Sequence, residues 1–394
     1  MRRIASPARA DWRKRCEAIG FFHHSHDESH PAAYWNEEAF YEFTLAEIER
    51  IEDASDQLHS MCLEAAARIV ADEALMARVG VPAKLFDLVR TSWANADPTL
   101  YGRFDLATDG HDVKLLEYNA DTPTSLVEAS LAQWQWLEDV RPDAAREKRQ
   151  FNSIHENLID RFRQLAVPIG KELLYFTCYE TNLEDFATTE YLRDLATQAG
   201  IRTEFMPLAN VALTDFDFHT PGFQDSLGRR IRYIFKLYPW EWLAQDDEAG
   251  RLPVACRKMG VLEPPWKMLL STKGLLPVLW SMYPGHDLLL PAHFDQAAFE
   301  AECGSDTPWV SKPMHGREGE SIHVRDGGTL FQTPGPYGKQ ARIFQKLVSM
   351  PLHDDRHAVV GAWIVDGAAC GIGVRESVDR IVKQGSQFVP HLFI

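Results

Sequence analysis

The sequence predicts an α/β protein with a largely parallel sheet in its middle and an antiparallel, β-rich lobe in its last third. Three observations carry that prediction. Between Glu172 and Leu237, short apolar runs alternate with helical stretches, the rhythm of strands joined by crossover helices. Beyond Trp309 the apolar runs are short and joined by Gly-rich turns, and Asp366-Gly367 between two of them is a strong hairpin signal. The stretch Tyr101–Ser125 gathers charged and amide side chains around an apolar strand.

In chain order, residues 1–35 read as irregular. His23, His24, His26 and His30 cluster there with Asp27 and Glu28 between them, but their spacing fits no metal motif, so a solvated loop is expected. From Asn36 to about Gly80, Phe40, Phe43, Leu45, Ile48, Ile51, Leu58 and Met61 recur at helical spacing. Pro82 opens another short helix, making residues 1–95 a mainly helical region. An α/β region follows over 96–260. It has a strand near Val113–Tyr118, a helix over Thr124–Leu137 and an amphipathic helix over 143–166. A β-run at Glu172–Cys178 leads into the acidic loop Glu180–Asp185 and a helix to Gly200, with further strands at Arg202–Met206 and Arg232–Leu237. Residues 261–394 hold strands at Trp309–Pro313, Ser321–Val324, Arg342–Leu347, Val359–Val365 and Ala369–Val374.

The chain has 394 residues, enough for one large composite unit or two to three lobes. Its formal charge of −16 argues against binding a phosphate backbone, which needs clustered Lys and Arg. No apolar run approaches a membrane span, and no signal peptide is visible, so a cytoplasmic protein is expected. Six cysteines are scattered singly, which argues for reduced thiols rather than a zinc or redox motif. Oligomeric state is not legible.

The chemistry concentrates in a few groups. Glu117 and Asn119 lie two residues apart and share one face of a strand, with Arg103, Asp105 and Asp121 close by. Two acids and an amide oxygen suit Mg²⁺, which takes one or two carboxylates and leaves its other positions to water and phosphate. An arginine beside them can grip an anion bidentately. Thr122, Thr124 and Ser125 then sit at a helix start, where free amides favour anions. Lys312 ends a β-run before the loop His315-Gly-Arg317-Glu318-Gly319, whose glycines allow a backbone to close over phosphates. The spacing is neither that of a P-loop nor of a dinucleotide fingerprint. The strand Ile343–Val348, with Gln345, Lys346 and Leu347, can serve as an adenine-reading hinge, or be a core strand. Arg375 can reach a phosphate or pair at the surface. Lys273 reads as a second nucleotide lysine or a solvated helix residue. Glu184-Asp185 can bind an amine or stabilise a helix N-terminus.

These residues resemble the synthetase part of the glutathionylspermidine synthase family and its stand-alone YgiC/YjfC-type acid–amine ligase members. The resemblance lies in Lys114–Ser125 (KLLEYNADTPTS), Ile234–Trp242 (IFKLYPWEW), Glu263–Trp280 (EPPWKMLLSTKGLLPVLW) and Trp309–Ile322. It implies an ATP-grasp-like fold with a circularly permuted element order, preceded by a pre-ATP-grasp α/β region. It also implies an ATP- and Mg²⁺-dependent ligase that joins a glutathione-like or peptide-like acid to a polyamine-like amine through an acyl phosphate. By the same resemblance Asp105, Glu117 and Asn119 are the ligands of two Mg²⁺ ions, and Arg103 steadies the transferring phosphate. Arg317 and Arg375 join Arg103 as catalytic arginines. Lys273, Lys312, Glu318, Gly319 and Gln345–Val348 contact nucleotide, and Arg380-Ile381-Val382 form a last nucleotide-contacting strand. Thr122, Thr124, Glu184 and Asp185 lie around the two small-molecule substrates. The family's glutathione-site serines are threonines here, and no amidase motif is present, so amide hydrolysis is not expected. The alternative is a catalytically degenerate nucleotide-binding sensor or scaffold.

Overall fold

The computed structural model describes residues 1–25, 33–216, 220–247, 249–383 and 386–394. Its centre is a sheet built from two hairpins far apart in sequence. The first, called here the motif hairpin, pairs Tyr101–Thr108 with Val113–Asn119. The second, the C-terminal hairpin, pairs Arg356–Val365 with Ala368–Ser377. They join antiparallel through Tyr101–Thr108 and Arg356–Val365, and Gln387–Val389 adds an edge. Asp366 and Gly367 make the second hairpin's turn, both at positive φ, as the Asp-Gly signal requires.

Alternation along these strands decides which face does what. Phe104, Leu106, Val360, Ala362 and Ile364 point one way, into a core shared with the helix Leu45–Val70. That helix begins at a capping box between Thr44 and Glu47 and buries Ile48, Ile51, Leu58, Met61 and Ala65. Each of the buried Ile, Leu and Met side chains contributes about 1.5–3 kcal/mol. The opposite face carries Tyr101, Trp363 and Val365 in a second core, and then Arg103 and Asp105. A register shift beside Asp105 leaves Leu116 as an extra residue, so that Glu117 pairs with Asp105 and Asn119 with Arg103. The apolar strand expected at Val113–Tyr118 is therefore half of a hairpin whose two strands both carry site residues.

The expected parallel sheet is present, with the order Gly260–Leu262, Tyr233–Lys236, Leu173–Thr177 and Arg202–Phe205. The antiparallel strands expected in the last third divide between two sheets. Trp309–Pro313, His323–Asp326, Thr329–Gln332, Arg342–Lys346 and Ala292–His293 form a five-stranded sheet, while the C-terminal hairpin belongs to the central one.

Four local expectations differ. Residues 1–35 include the strand Arg2–Ala5 and the helix Trp12–Ala18. Ala39–Phe43, within the expected helix, is a strand paired with Arg2–Ala5 and His391–Phe393. Its aromatic-rich, almost fully buried sequence suits a sheet better than a one-faced helix. The helix expected over 143–166 is two, Pro142–Arg146 and Ile154–Ile169, broken where Lys148 takes a positive φ. Arg380–Val382 are not a strand; they lie in the loop after Ser377.

Among the described residues all six cysteines are unpaired and no helix is long and apolar enough to cross a membrane.

Candidate active site

The two hairpins, the C-terminal ends of the parallel strands and the inner face of the five-stranded sheet enclose one cavity of about 800 Å³. Arg103, Asp105, Glu117, Asn119, Thr122 and Thr124 line it from the motif hairpin and the turn after it. Lys273, Lys312, Arg317, Glu318, Gly319 and Gln345–Val348 line it from the opposite wall, and Arg375 and Arg380–Val382 from the C-terminal segment. Glu184 and Asp185 close the remaining side. Asp121, from the same Tyr101–Ser125 stretch, is not in the lining. Its carboxylate is tied to Lys236 Nζ at 2.7 Å and to the Trp240 amide at 3.1 Å, a buried clamp between the motif turn and the parallel sheet. Ser125 also lies off the lining and meets the Tyr34 hydroxyl at 3.0 Å.

At the acid end each carboxylate already faces cations. Arg103 Nε donates to Asp105 Oδ1 at 2.8 Å, and Arg375 Nη2 donates to Oδ2 at 2.5 Å. Glu117 is 3.0 Å from Lys273 Nζ and accepts from Asn119 Nδ2 at 2.9 Å. Burial pushes the Glu117 carboxyl up, but the Lys273 and Lys312 charges outweigh it and hold the group below the usual carboxylate range. Lys312 answers in the other direction. Burial pulls it down to about 8, only partly opposed by Glu117. Its ammonium donates to Leu116 O at 2.8 Å and Gln345 Oε1 at 2.9 Å, which spans the gap between the bulge and the five-stranded sheet. Lys273 is buried too and donates to Gly316 O at 2.7 Å, which excludes the solvated-helix reading.

The glycine-bearing loop lies over this end. Glu318, Gly319 and Ser321 all have positive φ. A Cβ on Gly319 would fall 2.7 Å from Val382 O, so the close approach of this loop to the C-terminal segment needs glycine. Arg317 crosses the cavity mouth. It donates to Thr122 Oγ1 at 2.8 Å and Glu241 Oε1 at 3.1 Å, and its guanidinium sits 5.3 Å from the Trp242 ring.

At the far end Asn182 caps the helix Leu183–Gln198 through the amides of Glu184 and Asp185. Both acids belong to that helix's first turn and both face the cavity. Burial, reinforced by Glu184, raises the Asp185 carboxyl to about 7.

A family model described as glutathionylspermidine synthase preATP-grasp matches residues 3–394. The chain belongs to the glutathionylspermidine synthase family. Among curated members, it is 37% identical over 403 residues to a candidate acid–amine ligase of Haemophilus influenzae, with both chains covered in full. It is 27% identical over 357 residues to trypanothione synthetase of Crithidia fasciculata, covering 84% of this chain and 53% of that one. It is 25% identical over 386 residues to the bifunctional glutathionylspermidine synthetase/amidase of Escherichia coli, covering 91% of this chain and 60% of that enzyme. Against these two synthetases the chain thus spans between half and two thirds of the relative's length. A glutathione synthetase-like effector from Globodera pallida shares the fold, with a TM-score of 0.56, 11% identity and coverage of 90% and 89%.

For this member of the family, several lining residues were not picked out by sequence reasoning: Tyr179, Thr181, Asn182, Tyr238 and Trp242, with Glu241 beside them. A signal existed. They follow the parallel strands Leu173–Thr177 and Tyr233–Lys236, and ligands of such sheets gather outside the carboxyl ends of the strands.

Proposed function

We propose that this chain is an ATP- and Mg²⁺-dependent ligase that joins a carboxylic acid to an amine through an acyl phosphate. Amide-forming ligases are the enzyme class of its family. One observation carries the finer reading: oxygen donors, convergent cations, a glycine-bearing loop, a hinge strand and an acidic pair all line a single cavity.

The donor set fits the metal. Asp105 and Glu117 stand opposite each other and Asn119 adds an amide oxygen, a hard-oxygen group that leaves positions for phosphate and water. A magnesium ion bound there supplies charge neutralisation at the transferring phosphate. The chain's own residues do the rest. Lys273 and Lys312 position phosphate oxygens, Arg103 and Arg375 hold the acid carboxylate against them, and positioning with electrostatics suffices for phosphoryl transfer. Gly319 and its loop keep water from the acyl phosphate. Arg317, anchored on Thr122 and Glu241, ties the loop to the substrate side of the cavity. Glu184 and Asp185 receive the amine as its ammonium ion, Asp185 takes up its proton, and the neutral nitrogen then attacks the acyl carbon and expels phosphate. The order of parts, metal acids before loop and hinge, fits a circularly permuted ATP-grasp arrangement.

The test is ADP release with Mg²⁺ and a panel of carboxylates and amines, repeated with hydroxylamine. Acid-dependent hydroxamate formation reports the acyl phosphate. Tight ATP binding without turnover for every pair would overturn the proposal.

A further inference from the structure

His23 does not lie in a solvated loop. Its Nε2 meets Glu128 Oε1 at 2.8 Å, and His24 beside it is buried against Trp12. His26 and His30, with Asp27 and Glu28, lie outside the described residues. Glu128 opens a π-helical turn, Glu128–Ala132, a geometry that recurs at functional sites, and it is fully buried.

Glu184 completes the group. His23, Glu128 and Glu184 each offer one ligand atom, all within 4.8 Å of one another. Among the described residues, two buried polar atoms of this cluster, Glu128 Oε2 and His23 Nδ1, have no hydrogen-bond partner. A simple His–Glu ion pair leaves that unexplained, because an unused carboxylate oxygen buried away from water is costly. Tyr34 helps to hold the Glu128 charge, yet the cluster still gathers two carboxylates around one imidazole.

We propose that His23, Glu128 and Glu184 form a site for one divalent transition-metal ion of the zinc class. Imidazole with carboxylates is the ligand set of such ions, whereas Mg²⁺ prefers oxygen alone. Three protein ligands leave a coordination position open. Glu184 also lines the main cavity, so the ion sits in the cavity wall at the acidic end, apart from Asp105, Glu117 and Asn119. The site needs no nucleotide or acyl phosphate; it shares Glu184 with the ligase reading and leaves Asp185 to face the amine.

The experiment uses the full chain, stripped with EDTA, exposed to Zn²⁺ and desalted. Bound metal is measured by mass spectrometry and affinity by calorimetric titration. Wild type should retain one equivalent, and so should the Asp105→Ala/Glu117→Ala double variant. His23→Ala, Glu128→Gln and Glu184→Gln should each bind at least about tenfold more weakly, since even outer-shell changes cost that much. Glu184 stands at a helix start on the cavity wall, so Glu184→Gln keeps the test decisive if a change at Glu128 disturbs folding; circular dichroism monitors each variant. Equal zinc retention by wild type and Glu184→Gln would show binding by other histidines and overturn the proposal, as would a wild type that retains none.

Discussion

Arg375 donates to Asp105 Oδ2 at 2.5 Å across the strand Arg356–Val365, which lies between their own strands. Gly361 stands directly opposite Asp105 on that strand, and a Cβ there would press on the stem of Arg103. Arg103 takes the other carboxylate oxygen, so one acid holds two arginines in place.

Asp105→Ala should therefore do two things. Buried Arg103 and half-buried Arg375 lose their counter-charge, which costs on the order of 3–5 kcal/mol, and Mg²⁺-dependent ADP release should fall by about 10²–10³. Asp105→Asn separates the effects, because the amide oxygen still accepts from Arg103. Its melting temperature should stay closer to wild type while activity is lost. A coupled ADP assay beside thermal unfolding checks this, and an Asp105→Asn protein that turns over normally would contradict the metal assignment.

Gly361→Ala tests the approach itself. The new Cβ would lie 3.0 Å from Arg103 Cδ, tighter than ordinary packing. Arg103 must shift off Asp105, at a stability cost of about 1–3 kcal/mol for overpacking. The expected result is a folded protein with kcat reduced about tenfold or more, as small misplacements of positioning groups produce. Unchanged kcat would mean that Arg103 need not be fixed.

Arg317 links the loop to Thr122 and to the helix Trp240–Asp246. Glu241 is held ionised there: burial opposes its charge, and Arg317 followed by His315 more than compensates. Glu241→Gln and Arg317→Ala should loosen the loop while leaving Lys273 and Lys312 in place. We expect retained ATP binding, slower amide formation and a rise in ADP released per amide formed, because water then reaches the acyl phosphate. A product ratio that stays at one in both variants would remove this role.

Acid stability should depend on two neutral histidines. Burial pushes His391 down to about 3, and burial with the Lys267 charge pushes His59 down to about 4, against roughly 6.5 in the unfolded chain. Below that value the unfolded chain takes up protons that the folded chain refuses. Their contribution is thus fully present above pH 6.5 and is lost as pH falls toward the folded values. Denaturant titrations at pH 7, 6 and 5 should show falling stability, and His391→Gln should flatten the slope by close to one proton. An identical slope in that variant would assign acid sensitivity elsewhere.

Much of this was legible in the sequence because spacing carries it. Glu117 and Asn119 share a face by simple alternation, Asp366-Gly367 marks its own turn, and the parallel strands announce themselves by rhythm. What was not legible depends on partners distant in the chain. Asp121 looked like its neighbours, but Lys236 had already claimed it. Ala39–Phe43 carried apolar spacing that a helix also fits, until Arg2–Ala5 and His391–Phe393 made it a strand. His23 had no motif around it because its partner, Glu128, is 105 residues away.

The pairing of Tyr101–Thr108 with Arg356–Val365 also orders events in time. A ribosome making this chain releases the motif hairpin long before the strand that must lie beside it. Until then one edge of that hairpin is an open row of amides and carbonyls, a template for wrong partners. Such distant pairings close slowly. Nascent chains stalled before residue 356 should therefore lean on chaperones, and the site's charged network can assemble only after nearly all of the chain has emerged.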